Sequence, residues 1–296
     1  MVKGFICGPT RRKVDWNHFD TECDHGPQGL PAASPFLARQ FALHAASDVR
    51  HQTLDATATG IMDCTRHLYM SRTIDYWVDP DKIAVMIRGT ALHEQMARTL
   101  DPEVWSTEST DPIRHDLRGK IGAFNVSALA DAWKRDLSHV IDGKFPKDWS
   151  VKFRSKDGKA RVEHAAQLNI ERLLLAQQPW AITEGFNVDT VRLTVWDHGI
   201  GATEGPLMQA AAYMTEDQIL GLRPWGAATT IADHATLLTQ IREEDAKLAP
   251  GDAEGRERLA ASIPLVGQAM FNGNKCAGCE LKEQCDGLVR KYGVPQ

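Results

Sequence analysis

The sequence has no run of ~18 or more apolar residues, so no segment is expected to span a membrane as a helix. Its first residues, MVKGFICGPTRRKVDW, lack an apolar stretch long enough for a secretory signal, which predicts a chain that stays in the cytoplasm. Cysteine is scarce. Six among 296 residues are too few for a disulfide scaffold, and in a reducing compartment clustered cysteines serve more often as metal ligands. An excess of basic charge is missing too: 34 Lys and Arg against 39 Asp and Glu leave a net charge of -5, which excludes a protein held to DNA or an anionic membrane by overall charge. There is no internal repeat, no low-complexity block and no G-x4-G-K-[ST] phosphate loop, so any helicase partner is expected to be a separate chain. What remains is a composition of 43% hydrophobic and 25% charged residues, that of a globular chain of one enlarged domain or two.

Residues 1–35 mix Gly, Pro, Asp and aromatics without periodicity and read as an irregular arm. Residues 36–118 read as helical, with apolar spacing of helical period from Phe36 to about Arg50 and from Asp63 to Trp77, and a helix over Gly89–Leu100 opened by a Thr90 cap. After Gly119 the texture changes. AFNVSALADAW, LSHVIDGKF, WSVKFRS and FNVDTVRLTVWD alternate apolar and polar residues and predict strands of one sheet. EHAAQLNIERLLLAQQ, ended by Pro179, predicts a helix between the third and fourth. Residues 119–200 are therefore expected to form an α/β core, and 201–296 a helical region with a cysteine-bearing tail.

Cys276, Cys279 and Cys285 form C-x2-C-x5-C, a spacing that brings thiolates to one metal centre from a single turn. Cys64, in a helical segment far upstream, is the best candidate for a fourth ligand. Four thiolates suit a structural zinc or an iron-sulfur cluster alike, and composition alone favours zinc. Either would clamp the chain across a long loop, so the metal-free protein is expected to be unstable. Cys7 and Cys23 belong to no tight pair and are expected to be unliganded.

A second constellation is acidic. Asp131 ends one strand-like run, and Asp142, Gly143 and Lys144 close the next. Asp-x-Lys on a strand puts both side chains on one face, since side chains alternate with period two. If the strands are neighbours, Asp131 and Asp142 converge, and two close carboxylates repel unless a divalent cation lies between them; oxygen donors suit Mg²⁺ or Mn²⁺. Such a site supports phosphodiester hydrolysis, with Lys144 stabilising developing charge. His93 offers an imidazole from the preceding helix, and His164, Gln167 and Glu171 share one face of the following one.

Taken together, His93, Asp131, Asp142-x-Lys144 and Gln167, with Cys64 and the terminal C-x2-C-x5-C, resemble the RecB-like branch of the PD-(D/E)XK nucleases over about residues 56–287. The match is to the iron-sulfur subset, which includes the CRISPR-associated RecB-like exonucleases and the AddB-type nuclease domain. The resemblance implies a restriction-endonuclease-like core, a central mixed sheet flanked by helices, with helical additions and a C-terminal cluster element. It implies that His93, Asp131, Asp142 and the Gly143 carbonyl hold Mg²⁺ or Mn²⁺, that Lys144 is catalytic, and that Gln167 is the glutamine of a Q-x3-Y motif in which Glu171 replaces the tyrosine. It assigns Cys64, Cys276, Cys279 and Cys285 to a structural [4Fe-4S] cluster, in place of zinc. The implied activity is a DNA exonuclease acting on single-stranded or free ends in a bacterial, archaeal or phage-infected cell. The alternative is a catalytically silent DNA-end-binding module, partnering CRISPR adaptation or recombination proteins. Residues 134–161 carry nine Lys or Arg against four Asp or Glu, a basic stretch that the net charge conceals.

Overall fold

The computed structural model describes residues 2–15, 17–30, 33–34, 36, 38–40, 56–78, 80–144, 158–197, 207–224, 229–264, 279 and 281–293. The expected helix from Phe36 to Arg50 falls largely outside them, and the expected strand WSVKFRS falls wholly outside.

The segment read as an irregular arm is in part regular. Strand β1 (Val2–Ile6) turns back into β2 (Lys13–Val14), and a short helix α1 (His18–Thr21) follows. After β3 (Ala56–Thr57) comes α2 (Thr65–Thr73), with Cys64 at its N-cap. The helical period read from Asp63 to Trp77 stops early, because β4 (Tyr76–Val78) pairs in parallel with β1. Helix α3 (Pro80–Thr99) begins ten residues before Thr90, so Thr90 is interior and not a cap; Pro80 supplies the first-turn residue whose missing N–H costs nothing there.

Next come β5 (Trp105–Thr107), α4 (Pro112–His115), β6 (Asp116–Ile121), β7 (Phe124–Leu129), β8 (Ala132–Lys134) and β9 (His139–Lys144). Helix α5 (Val162–Leu175) is followed by α6 (Pro179–Thr183), β10 (Arg192–Asp197) and β11 (Leu207–Ala210). Among the described residues four helices follow: α7 (Glu216–Leu220), α8 (Ile231–Asp245), α9 (Ala253–Ser262) and α10 (Lys282–Tyr292). Capping boxes at Thr215/Gln218 and Thr230/Asp233 start α7 and α8 by satisfying otherwise orphaned N–H groups.

The predicted strands do not share one sheet. A five-stranded mixed sheet has the order β11-β10-β9-β8-β5, with β9 and β10 parallel and β9 at its centre. The AFNVSALADAW run divides: β7 joins β6 and β3 in a separate three-stranded sheet, while β8 enters the five-stranded one. A third sheet orders β2-β1-β4. The result is a mixed α/β molecule of several sheets flanked by helices.

Two cores hold it. In the first, α5 presses Ala166, Leu168, Ile170 and Leu174 against Leu117, Ile121, Val140 and Leu193. At Gly119 β6 leaves no room for a side chain, since a Cβ there would lie 2.9 Å from Leu174 of α5 and 2.4 Å from Gln177 Oε1 just beyond it. The freed space lets the Gln177 amide dock on the outer edge of β6, its Oε1 accepting from Lys120 N–H at 2.8 Å and its Nε2 donating to Lys120 C=O at 2.7 Å. The second core joins the two ends of the chain: Phe5 and Phe19 from the N-terminal unit pack with Tyr69, Met70, Ile241, Ala260, Leu281 and Leu288. Among the described residues no helix is long and apolar enough to cross a membrane.

Candidate functional site

The register of β8 on β9 pairs Ala132 with Ile141, so the residue before one strand, Asp131, lies beside Asp142 of the other. The structure thus brings the two aspartates together, and Asp131 Oδ2 accepts the Gly143 N–H at 2.7 Å. Period-two alternation puts Lys144 on the face of Asp142, and its Nζ donates to Asp142 Oδ1 at 2.8 Å. From α5, Gln167 completes the group. Its Oε1 accepts from Lys144 Nζ at 3.0 Å, and its Nε2 donates to Asp142 Oδ1 at 2.9 Å and to Glu171 Oε1 at 3.2 Å. Helix α5 is buried nearly all round, which excludes a polar outer stripe for Gln167 and Glu171. On α3, His93 Nδ1 stands 3.2 Å from Asp131 Oδ2.

Three carboxylates therefore share this space with one ammonium and one imidazole. Burial works against a charged His93, but Asp131 outweighs it and raises the imidazole above its usual range. Asp131 is half-buried, and His93, Lys144 and the Gly143 N–H hold its carboxyl below the usual value against the effect of burial. Asp142 differs. Sunk in the central strand at 2% exposure, it is pushed up to about 6 by burial, against the pull of Lys144 and with Asp131 adding to the rise. Burial, then Asp142 and Asp131, drive Glu171 well above the carboxylate range. Lys144 is raised, because the two aspartates outweigh its own burial. Asp142 Oδ2 and Glu171 Oε2 are buried without a hydrogen-bond partner. A hard divalent cation fits such a donor set: it takes carboxylate oxygens and offsets the surplus negative charge.

Of the expected cluster cysteines, Cys276 lies outside the described residues. Cys279 and Cys285 pack against the second core. Arg66, in the first turn of α2, is fully buried and directs Nη1 to Cys285 Sγ at 3.5 Å, with Nε donating to the Ile263 carbonyl at 2.9 Å and Nη2 to that of Ala261 at 3.0 Å. Through Arg66, α10 is held on α9 and α2.

The structure does bring Cys7 and Cys23, expected to be unliganded, into one group. With His18 and His25 they form a group whose ligand atoms all lie within 4.8 Å of one another, so this buried Cys/His group could hold a metal ion. Their spacing, Cys7-x10-His18-x4-Cys23-x-His25, hides the group in sequence. Cys7 is carried in by the β1–β2 turn and the others by α1 and the segment after it. The compact His18, Cys23, His25 run was the legible part of the signal.

No family model matches the chain, and no curated protein does. Among solved structures it is similar to the crystal structure of SSO0001, with 16% identity and a TM-score of 0.40 over 70% of this chain and 84% of that one. A likeness so slight identifies no family.

Proposed function

We propose that the chain is a divalent-metal-dependent deoxyribonuclease, an exonuclease of the RecB-like PD-(D/E)XK type acting on single-stranded or free DNA ends. The observation that carries the reading is the convergence of Asp131, Asp142, Lys144, Gln167 and Glu171 around two unpartnered buried carboxylate oxygens. On this reading the core is restriction-endonuclease-like, and Cys64, Cys276, Cys279 and Cys285 hold a [4Fe-4S] cluster that ties α2 to the C-terminal helix.

Asp131 and Asp142, with His93 and the Gly143 carbonyl, would hold Mg²⁺ or Mn²⁺. When bound, such an ion polarises a phosphoryl oxygen and lowers the pKa of a water. Lys144 stays protonated between its aspartates and is placed to stabilise charge developing on the scissile phosphate. Gln167 fixes Lys144 and Asp142 relative to each other, acting through them. The basic stretch 134–161 begins on β8 and contains β9, so it draws the phosphate backbone toward these groups.

The test is degradation of end-labelled single- and double-stranded DNA by anaerobically purified protein with Mg²⁺ or Mn²⁺. Asp142→Ala and Lys144→Ala are each expected to lower the rate by about 10²-fold or more. Parental activity in both variants refutes the assignment. Binding to DNA ends without cleavage under either metal favours the silent end-binding module, a partner in CRISPR adaptation or recombination.

A further inference from the structure

The geometry points to a second metal site, a tetrahedral Zn²⁺ held by Cys7, His18, Cys23 and His25, which fastens the N-terminal unit to the helix that carries Cys285. Zinc bound to thiolate sulfur at about 2.3 Å and imidazole nitrogen at about 2.0–2.1 Å in a tetrahedron separates sulfur from nitrogen by about 3.6 Å. His25 Nδ1 lies 3.6 Å from Cys7 Sγ and 3.6 Å from Cys23 Sγ. A thiol-to-imidazole hydrogen bond explains one such distance, but not two sulfurs placed alike about one nitrogen with a second imidazole beside them.

That second ring gives an independent sign. His18 Nε2 is buried and has no hydrogen-bond partner, the state of a nitrogen aimed at a ligand. Its Nδ1 faces Glu22 Oε2 at 3.7 Å, and His25 turns its Nε2 to Asp24 Oδ1 at 3.4 Å. Each imidazole thus keeps a carboxylate beside its other nitrogen, the arrangement that orients metal-bound histidines and strengthens them as donors. Two thiolates and two imidazoles close the tetrahedron with no position left for water, so the site is structural.

Its consequence lies in what the ligands hold together. Between Cys7 and His18 run the turn of the β1–β2 hairpin, whose Arg11 pairs with Glu283 of α10, and β2, whose Lys13 lies 4.0 Å over the Trp77 ring. Gln284 of the same helix donates to the Trp77 carbonyl at 3.2 Å. The hairpin is therefore a strut between β4 and α10, and zinc fixes its base. None of this depends on the nuclease reading.

The test uses the full chain. Zinc and iron are measured by plasma mass spectrometry after dialysis against a weak chelator, in the parent, Cys7→Ser, Cys23→Ser and Cys279→Ser. The expected result is the loss of one zinc equivalent per chain in Cys7→Ser and in Cys23→Ser, with the metal of the C-terminal cysteines retained. Cys279→Ser, by contrast, keeps the zinc that alkylation of Cys7 and Cys23 reports and loses at most the iron, or a separate zinc, of the C-terminal cysteines. Equal zinc in parent and folded Cys7→Ser and Cys23→Ser overturns the proposal. If those variants do not fold, the parent decides: stripping zinc with a strong chelator should accelerate alkylation of Cys7 and Cys23, mapped by peptide mass spectrometry. Restoring zinc should slow it again. Alkylation at the same rate before and after stripping, or recovery of Cys7 and Cys23 as a disulfide, overturns it.

Discussion

Glu171 is 1% exposed, with one carboxylate oxygen accepting from Gln167 and the other unpartnered. Burial beside Asp142 resists its ionisation, so without a cation folding at neutral pH must take up a proton there or hold the charge against that resistance, and this residue opposes folding. Glu171→Gln keeps the shape and the Gln167 contact while removing the charge. It is expected to raise the stability of the metal-free protein by roughly 0.5–2 kcal/mol and to reduce the further stabilisation by Mg²⁺, both read from urea midpoints with and without the ion. A lower midpoint in the metal-free variant counts against a charge held in tension. His115 shows the opposite use of burial. Its ring stacks on Trp133 at 3.6 Å, Nδ1 bonds the Ala130 carbonyl at 2.6 Å and Nε2 meets Ser106 Oγ at 3.1 Å, which pins the chain just before Asp131. Burial lowers it from 6.5 to about 4. Between those values the unfolded chain binds more protons than the folded one, so this contribution is complete above pH 6.5 and is lost as pH falls toward 4, by up to ~3 kcal/mol. His115→Gln should flatten the acid limb of stability against pH in that window, even if it lowers stability at pH 7. An unchanged slope would mean that other groups set that limb.

At the level of elements, Arg66 joins three helices that sequence alone leaves unrelated. Its guanidinium caps the C-terminal carbonyls of α9 from α2 and reaches the sulfur of Cys285 on α10. Arg66→Met keeps most of the apolar stem but leaves those carbonyls buried and unpaired, which is expected to cost about 2–4 kcal/mol in denaturant titration; a cost below about 1 kcal/mol would make the contact incidental. Strand β9 and helix α5, both buried on more than one face, were legible as a short apolar run closed by Asp-Gly-Lys and a longer apolar run ended before Pro179, and their chemistry-bearing residues fall at spacings of two and four that each element's geometry aligns. The split of AFNVSALADAW between two sheets was not legible, since it depends on which strands β7 and β8 find as partners. Strand β1 was missed for a related reason: a five-residue strand beside Gly and Pro shows little alternation, and its pairing with β4 is made some seventy residues away. Thr90 misled because a good capping residue is only a local preference, overridden where α3 continues through it.

Over the whole molecule, the two cores divide the labour. The first carries the acidic site on β9 and α5, and the second gathers segments from both ends of the sequence, with Cys7 and Cys23 among its members and Cys279 and Cys285 packed against it. The acidic site could be read from sequence because its residues sit at short, periodic spacings. The Cys7 group could not, because its ligands come from a hairpin turn and a helix whose approach is a tertiary event. The placing of the Gln177 amide against β6 has a further consequence, for how molecules meet each other. Among the described residues strand β6 ends its sheet, and an open sheet end offers a ladder of N–H and C=O groups to any passing chain. Gln177 occupies that ladder at Lys120, and Gln178 Nε2 at the Arg118 carbonyl, 2.9 Å away, so a side chain imitates the missing neighbour. Gln177→Ala is expected to produce concentration-dependent association in sedimentation velocity while the fold by circular dichroism stays the same; identical sedimentation of variant and parent would place the safeguard elsewhere. Two glutamine amides would then be what keeps copies of this chain from adding to one another strand by strand.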